Sequence, residues 1–272
     1  MTGRLAGRVV LVTGSTGIGA AAAERAADEG AAVFVVSRTA DHARALAERL
    51  PGAAWAAADL TDEAAVEGVV TAARERFGRV DGLVSVAGGS GRRFGDGPIH
   101  TLTGAAWEAT AALNLRTQVL VCAAVVRQML AQARTDAGVR GSVVLIGSVT
   151  ASDPVPDLFG THAYAAAKGA LTALMTAMAA TYAPDGIRVN LVAPSLTATP
   201  MAERAAGDAS ILAFATRKQP LAGPMLDPAE VARAALFFLS DESRAVTGQL
   251  LKVDGGWSVT SVGPGEIGRA HV

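Results

Sequence analysis

Short, valine-rich apolar runs alternate with longer stretches of helical character along almost the whole chain. The runs at 9–12, 33–36, 83–86, 143–146 and 187–192 are compact and bounded by glycine or polar turn residues. A strand with one wet face would alternate apolar and polar positions; continuous apolar runs predict strands buried on both faces of a parallel sheet. An alanine-rich run at 53–58 stands where a further strand belongs, just before Asp59. A last run at 249–253 ends in the turn Asp254-Gly255-Gly256. Between the runs, 18–29, 41–50, 62–77, 105–134, 164–183 and 228–239 read as helices, the last opening on Pro228, whose missing N–H costs nothing in a first turn. Strands separated by helices, joined by right-handed crossovers, give an α/β fold: a doubly wound parallel sheet of about seven strands with helices on both faces.

No linker or composition break divides the chain, so one domain is expected over 1–272, with an irregular tail at 259–272. Two stretches read as loops: the glycine-rich 88–97, and 194–227, with prolines at 194, 200, 220 and 224. Both follow strands on the carboxyl side, where open α/β sheets bind their ligands.

Composition narrows the function classes. Half the residues are hydrophobic and 18% are charged, which supports a large core and excludes disorder. A net charge of −1 offers no footprint for nucleic acid. No stretch approaches the roughly 20 unbroken apolar residues of a membrane span. The first eight residues lead straight into a strand, so no signal segment and a cytoplasmic location are expected. The single cysteine, Cys122, sits in the apolar run 119–126 and reads as a buried thiol. No metal site is expected.

The first strand runs into Thr13-Gly14-Ser15-Thr16-Gly17-Ile18-Gly19 and then into an alanine-rich helix. Glycines there let the backbone turn sharply and approach a pyrophosphate, whose charge the helix amino terminus favours; this is the Rossmann-type mode of dinucleotide binding. After the second strand, Ser37-Arg38 stands where a carboxylate would bind the ribose hydroxyls of NAD. A cation and a hydroxyl instead suit the 2′-phosphate of NADP(H), the alternative being a solvated arginine and an NAD(H) site. Tyr164-Ala-Ala-Ala-Lys168 places a phenol and an ammonium one turn apart on one helix face, where the cation favours the phenolate.

Taken together and in order, these motifs resemble the short-chain dehydrogenase/reductase family, in its compact single-domain branch, over residues 5 to 258. The resemblance further rests on Asp59-Leu60, Ala87-Gly88, Asn114, Ser148, the stretch from Pro194 to Thr199, and Val246-Thr247-Gly248-Gln249. It implies that Tyr164 exchanges a proton with the oxygen of a ketone or secondary alcohol. Lys168 would lower the tyrosine pKa and hold the nicotinamide ribose, Ser148 would hydrogen-bond the substrate oxygen, and Asn114 would hold a water leading from Lys168 to solvent. The glycine loop would cradle the pyrophosphate, Asp59 and Leu60 would border the adenine, Ala87 and Gly88 would approach the cofactor, and Pro194, Leu196 and Thr199 would contact the nicotinamide side. It also implies a dimer or tetramer, because family members commonly pair the helices corresponding to 105–134 and 164–183, which are more apolar here than one buried face requires.

The chain departs from the family pattern in several places. The glycine loop is one residue shorter than T-G-x-x-x-G-x-G; Ser85-Val86 replaces a pair of asparagines; Ser195 replaces a glycine; and 148–164 is longer than usual. Val149, Leu158, Phe159, Leu196, Met201 and Phe214 suggest an apolar substrate pocket. Arg92 and Arg93 read as solvated, with an acidic substrate as the alternative, and His162 as a neighbour of the site. Three rivals have discriminating features. An enoyl reductase would place its lysine farther from the tyrosine, an epimerase would carry a larger carboxyl-terminal domain, and a catalytically silent regulatory module would lack some of Asn114, Ser148, Tyr164 and Lys168.

Overall fold

The computed structural model describes residues 3–135 and 137–261. Seven strands form one sheet: β1 (Val9–Thr13), β2 (Ala32–Ser37), β3 (Ala54–Ala57), β4 (Gly82–Ser85), β5 (Gly141–Ile146), β6 (Ile187–Pro194) and β7 (Leu250–Val253). Their order is β3-β2-β1-β4-β5-β6-β7, with every pairing parallel. The helices are α1 (Gly17–Asp28), α2 (Ala40–Ala47), α3 (Glu63–Phe77), α4 (Gly104–Ala111), α5 (Thr117–Ala131), α6 (Pro156–Phe159), α7 (His162–Tyr182), α8 (Glu203–Ala206), α9 (Ala209–Lys218) and α10 (Pro228–Leu239).

Each apolar run divides its side chains between two cores, as a period of two demands. On β1, Leu11 faces a core shared with α3, α5 and α7, while Val10 and Val12 face one shared with α1, α2 and α10. On β5, Val143 and Leu145 take the first side and Val144 and Ile146 the second. Both faces are therefore dry, which accounts for the unbroken valine runs. Cys122 lies in the first core, its thiol pushed up to about 12 by burial.

Two expectations need correcting. The helix expected over 105–134 is interrupted by a π-helical turn at Ala112–Arg116 and ends at Ala131. Gln132 turns extended there, and its Nε2 donates to the carbonyls of Val80 and Arg140, a tertiary use no periodicity reveals. The stretch 194–227 is not all loop, since it holds α8 and α9; the Asp208 side chain starts α9 by accepting from the N–H groups of Ser210 and Ile211. The long 148–164 segment holds the one-turn helix α6. Of the expected irregular tail, 259–261 form no element, and 262–272 lie outside the described residues. Among the described residues one continuous helical rod, Gly104–Ala131, is long and apolar enough to cross a membrane by length and composition, but half of its most apolar window is buried inside the fold.

Candidate active site

Strand order reverses between β1 and β4, and the loops leaving these strands at their carboxyl ends part to open a crevice. The crevice is a cavity of about 1040 Å3. Its wall includes Gly14, Ser15, Thr16, Ile18, Ser37, Arg38, Asp59, Leu60, Ala87, Gly88, Asn114, Ser148, Tyr164, Lys168, Pro194, Leu196 and Thr199. Two expected members, Gly17 and Gly19, are absent from the wall. A Cβ on Gly19 would stand 2.4 Å from the Gly14 carbonyl oxygen, and one on Gly17, where φ is +53°, would stand 2.7 Å from Thr199 Cγ2. Both glycines serve closure of the loop. α1 begins directly at Gly17, after Thr16 in extended conformation with no side-chain cap.

That uncapped amino terminus, with no acidic residue in its first turn, faces the cavity through Ser15 and Thr16. It presents unpaired N–H groups to an anion. At the same end, Arg38 makes no ion pair within 4 Å among the described residues. Its charge helps hold the Asp59 carboxyl below its usual range, after the stronger effect of hydrogen bonds from Thr61. The donor set and the glycine cradle fit a phosphate-bearing dinucleotide.

The catalytic candidates come from three elements. The Ser148 hydroxyl, just past β5, shares a 2.9 Å hydrogen bond with the Thr150 hydroxyl. One face of α7 carries Tyr164 and Lys168, with Lys168 Nζ 5.7 Å from the centre of the tyrosine ring. Burial pushes the phenol up to about 12, and the nearby Ser148 hydroxyl works against that rise. Burial also pushes the Lys168 ammonium down to about 8. Lys168 Nζ donates to the Ile146 carbonyl at 2.8 Å.

Asn114, fully buried on the π turn, occupies both its amide donors on the carbonyls of Gly89 and Thr110, at 2.9 and 3.0 Å. Its Oδ1 accepts from the Gly89 N–H at 3.0 Å. The side chain thus ties the loop after β4 to the central helix and keeps one lone pair for anything further. A π turn leaves main-chain carbonyls out of the regular ladder, a feature frequent at functional sites.

Several residues of the site escape sequence reasoning. Thr13 Oγ1 accepts from the N–H groups of Val86 and Ala87, at 2.9 and 3.1 Å, and so supports the β4 loop where the expected asparagines are missing. Gln118 satisfies its neighbours when its amide oxygen accepts from Lys168 Nζ at 3.2 Å and its nitrogen donates to the Ser85 carbonyl at 3.1 Å. Asp96 accepts from the N–H groups of Ala163 and Tyr164, both at 2.9 Å. Trp257 lines the cavity and meets Phe159 and Phe214 edge-on at 5.9 and 5.7 Å. Only the arrangement of side chains in space reveals these, although Thr13 stands directly beside the glycine loop in the sequence. Of the expected apolar lining, Val149, Phe159, Leu196 and Met201 reach the cavity; Leu158 and Phe214 instead pack behind it near Trp257. His162 takes no place in the wall, since its Nδ1 accepts from the Ile99 N–H at 3.0 Å.

A cavity laid across the switch point of a doubly wound parallel sheet places the protein in the Rossmann class of dinucleotide-binding oxidoreductases. The sequence profile described as Enoyl-(Acyl carrier protein) reductase matches residues 12–258. A cis-4-hydroxycyclohexanecarboxylate dehydrogenase of Sinomonas cyclohexanicum is 37% identical over 257 residues, which cover 92% of this chain and 96% of that protein. A D-threitol dehydrogenase of Mycolicibacterium smegmatis is 34% identical over 94% of this chain and 95% of its own length. Among solved structures, a 3-ketoacyl-(acyl-carrier-protein) reductase from Brucella melitensis complexed with NADH aligns with a TM-score of 0.81 at 28% identity, covering 94% of this chain and 100% of that one. The chain belongs to the short-chain dehydrogenase/reductase family, oxidoreductases that use NAD(P)(H).

Proposed function

We propose that the protein interconverts a ketone and a secondary alcohol with NADP(H), the whole chain acting as one cofactor-binding and catalytic unit. The observation that carries this reading is the convergence of Ser148, Tyr164 and Lys168 on the cavity that also holds the uncapped glycine loop. The bound nicotinamide supplies or takes up the hydride. Tyr164 gives its proton to the carbonyl oxygen during reduction and recovers it during oxidation. Ser148, oriented by Thr150, donates a hydrogen bond to the same oxygen where negative charge develops. Lys168 serves the tyrosine electrostatically. Its own pKa near 8 means that the ammonium is the main form at neutral pH, and an ammonium beside the ring favours the phenolate over the phenol. Lys168 would also donate to the nicotinamide ribose, while Ile146 and Gln118 hold its ammonium in place.

The three-residue gap from Tyr164 to Lys168 favours carbonyl over enoyl reduction, and the dehydrogenase names of the relatives point the same way. Arg38 supports NADP(H), standing just past the end of β2 with no carboxylate paired to it among the described residues. The competing cofactor reading, NAD(H), draws on the NADH complex of the Brucella melitensis reductase.

Tyr164→Phe keeps the ring and its packing and removes the proton donor. Turnover of any accepted ketone should fall by ~10²–10⁴-fold, the usual contribution of general acid catalysis, with the circular dichroism spectrum unchanged. A folded Tyr164→Phe enzyme with near-normal turnover refutes the mechanism.

A further inference from the structure

Three separate loops meet at the rim of the cavity beyond Ser148 and Tyr164. Arg92 stands on a short 3-10 turn, Gly91–Phe94, after β4; Leu158 stands on α6; Arg204 stands on α8. Arg92 Nη2 and Arg204 Nη2 each donate to the one carbonyl oxygen of Leu158, both at 3.2 Å. Two like charges are thus brought together on a neutral acceptor. Neither guanidinium lies within 4 Å of a carboxylate among the described residues. Each has five N–H donors, and a single carbonyl satisfies a small part of that capacity.

The rim is preorganised rather than loose. The Arg92 turn is closed by bonds from the Gly95 N–H to the Arg92 carbonyl at 3.0 Å and from the Asp96 N–H to the Gly91 carbonyl at 3.1 Å. Asp96 itself is spent on the N–H groups of Ala163 and Tyr164, so it anchors the turn without pairing with Arg92. The charged residues on this part of the wall are Arg92, Arg93, Glu203 and Arg204, a clear positive excess. Although much of the Arg92 side chain faces solvent, partial loss of water and then the charge of Arg204 lower its pKa, and the smaller opposing effect of Asp96 does not cancel them. The same wall carries the apolar side chains of Val149, Phe159, Leu196 and Trp257.

We infer that Arg92 and Arg204 form a clamp for an anionic oxygen group, so that the substrate is an apolar-bodied ketone or alcohol carrying a carboxylate or an equivalent anion away from the reacting carbon. The inference rests on the proposed reaction for the word substrate; the clamp itself is a binding property. An oxyanion entering between the guanidiniums takes over the donors now shared by the Leu158 carbonyl, and it neutralises the repulsion between them.

The test uses a redox-inert pair of probes, cyclohexanecarboxylate and its neutral amide, cyclohexanecarboxamide. Their binding is measured by calorimetry with saturating cofactor, which blocks the glycine loop and Arg38. The carboxylate should bind wild type about tenfold or more tightly than the amide, the range for one charge-assisted hydrogen bond at a partly exposed site. Arg92→Gln and Arg204→Gln should each remove most of that preference and leave amide binding within about twofold, since the neutral probe offers the guanidiniums no opposite charge and a glutamine amide can still donate to its carbonyl. Equal binding of the two probes to wild type, no carboxylate binding at millimolar concentration, or an unchanged preference in both variants overturns the clamp. Equal loss of both probes in the variants also overturns it, by showing the arginines to be structural. None of these readings depends on turnover, so they stand apart from the Tyr164→Phe result, which judges the reaction.

Discussion

Asp96 offers the sharpest perturbation because it connects the fold directly to the position of Tyr164. The first turn of α7 has three N–H groups without helical partners, and all three are met by one short segment of a distant loop. His162 donates to the Gly97 carbonyl at 3.2 Å, Ala163 to Asp96 Oδ1 and Tyr164 to Asp96 Oδ2, both at 2.9 Å. The side chain of Thr161, the residue at the usual capping position, makes no cap bond to α7. The Asp96 carboxylate is buried, and its charge also complements the positive end of a 21-residue helix. Hydrogen bonds to a charged group contribute about 1.5–3 kcal/mol each. Asp96→Ala, losing two and leaving buried donors behind, should therefore cost roughly 3–6 kcal/mol. That is a large share of a typical total of about 5–15 kcal/mol. Asp96→Asn keeps the shape and one acceptor but turns an amide NH2 toward the other donor, so about half that cost is expected. Urea denaturation with an unchanged slope reads the stability loss. Steady-state kinetics should show kcat falling by about tenfold to a hundredfold as the phenol is displaced, since misplacement by ~1 Å can cost 10²-fold. Cofactor affinity should hardly move, because the glycine loop lies elsewhere. Asp96→Asn within about 0.5 kcal/mol of wild type, the range of a neutral surface change, with an unaltered kcat would refute the reasoning.

Other expectations test separate parts of the site. Arg38→Ala should weaken NADPH binding by about tenfold or more and leave NADH nearly unchanged, as loss of one charge-assisted bond predicts; equal losses in cofactor titrations would make Arg38 structural. Lys168→Met should show the sign of a lysine whose folded pKa, near 8, lies below its ordinary value of 10.5. The folded state resists the charged form, so wild-type stability gains from this group as pH rises from 8 to 10.5, and is flat outside that window. Stability of the variant relative to wild type should accordingly be greater at pH 7 than near pH 10.5, by on the order of 3 kcal/mol, and a pH-independent difference contradicts it. The Tyr164 phenol, pushed up to about 12 by burial, keeps its proton across this window in the folded state of both proteins, so the difference reports Lys168. Finally, Trp107, Val119 and Leu130 leave apolar surface exposed on α4 and α5, and Leu250 and Leu251 on the edge strand β7; a two-fold dimer or tetramer should appear by light scattering, and a monomer mass at every concentration refutes it.

Much of this protein is legible along the chain, for reasons of period and local chemistry. Strands buried on both faces must read as unbroken apolar runs, so β1, β2, β4, β5 and β6 stand out from the residues themselves. Even the alanine-rich β3 is placed by its position ahead of Asp59. Glycines that a turn requires, and a tyrosine and lysine one helical turn apart, are likewise local signals, and the cavity does gather Gly14, Ser148, Tyr164 and Lys168. What tertiary structure alone decided is every interaction spanning long sequence separations. Asp96 meets α7 across 68 residues and Thr13 supports Ala87 across 74. Arg92 and Arg204 converge on Leu158 from opposite sides of it in sequence, across 66 and 46 residues. The π turn at Asn114 belongs here too, for nothing in its residues breaks a helix; the Asn114 side chain instead binds the Gly89 backbone and carries the distortion with it. Periodicity reports which face of an element is dry. It carries no record of which distant loop supplies the partner for a buried N–H or a guanidinium, because that choice is made when the sheet brings the loop ends together.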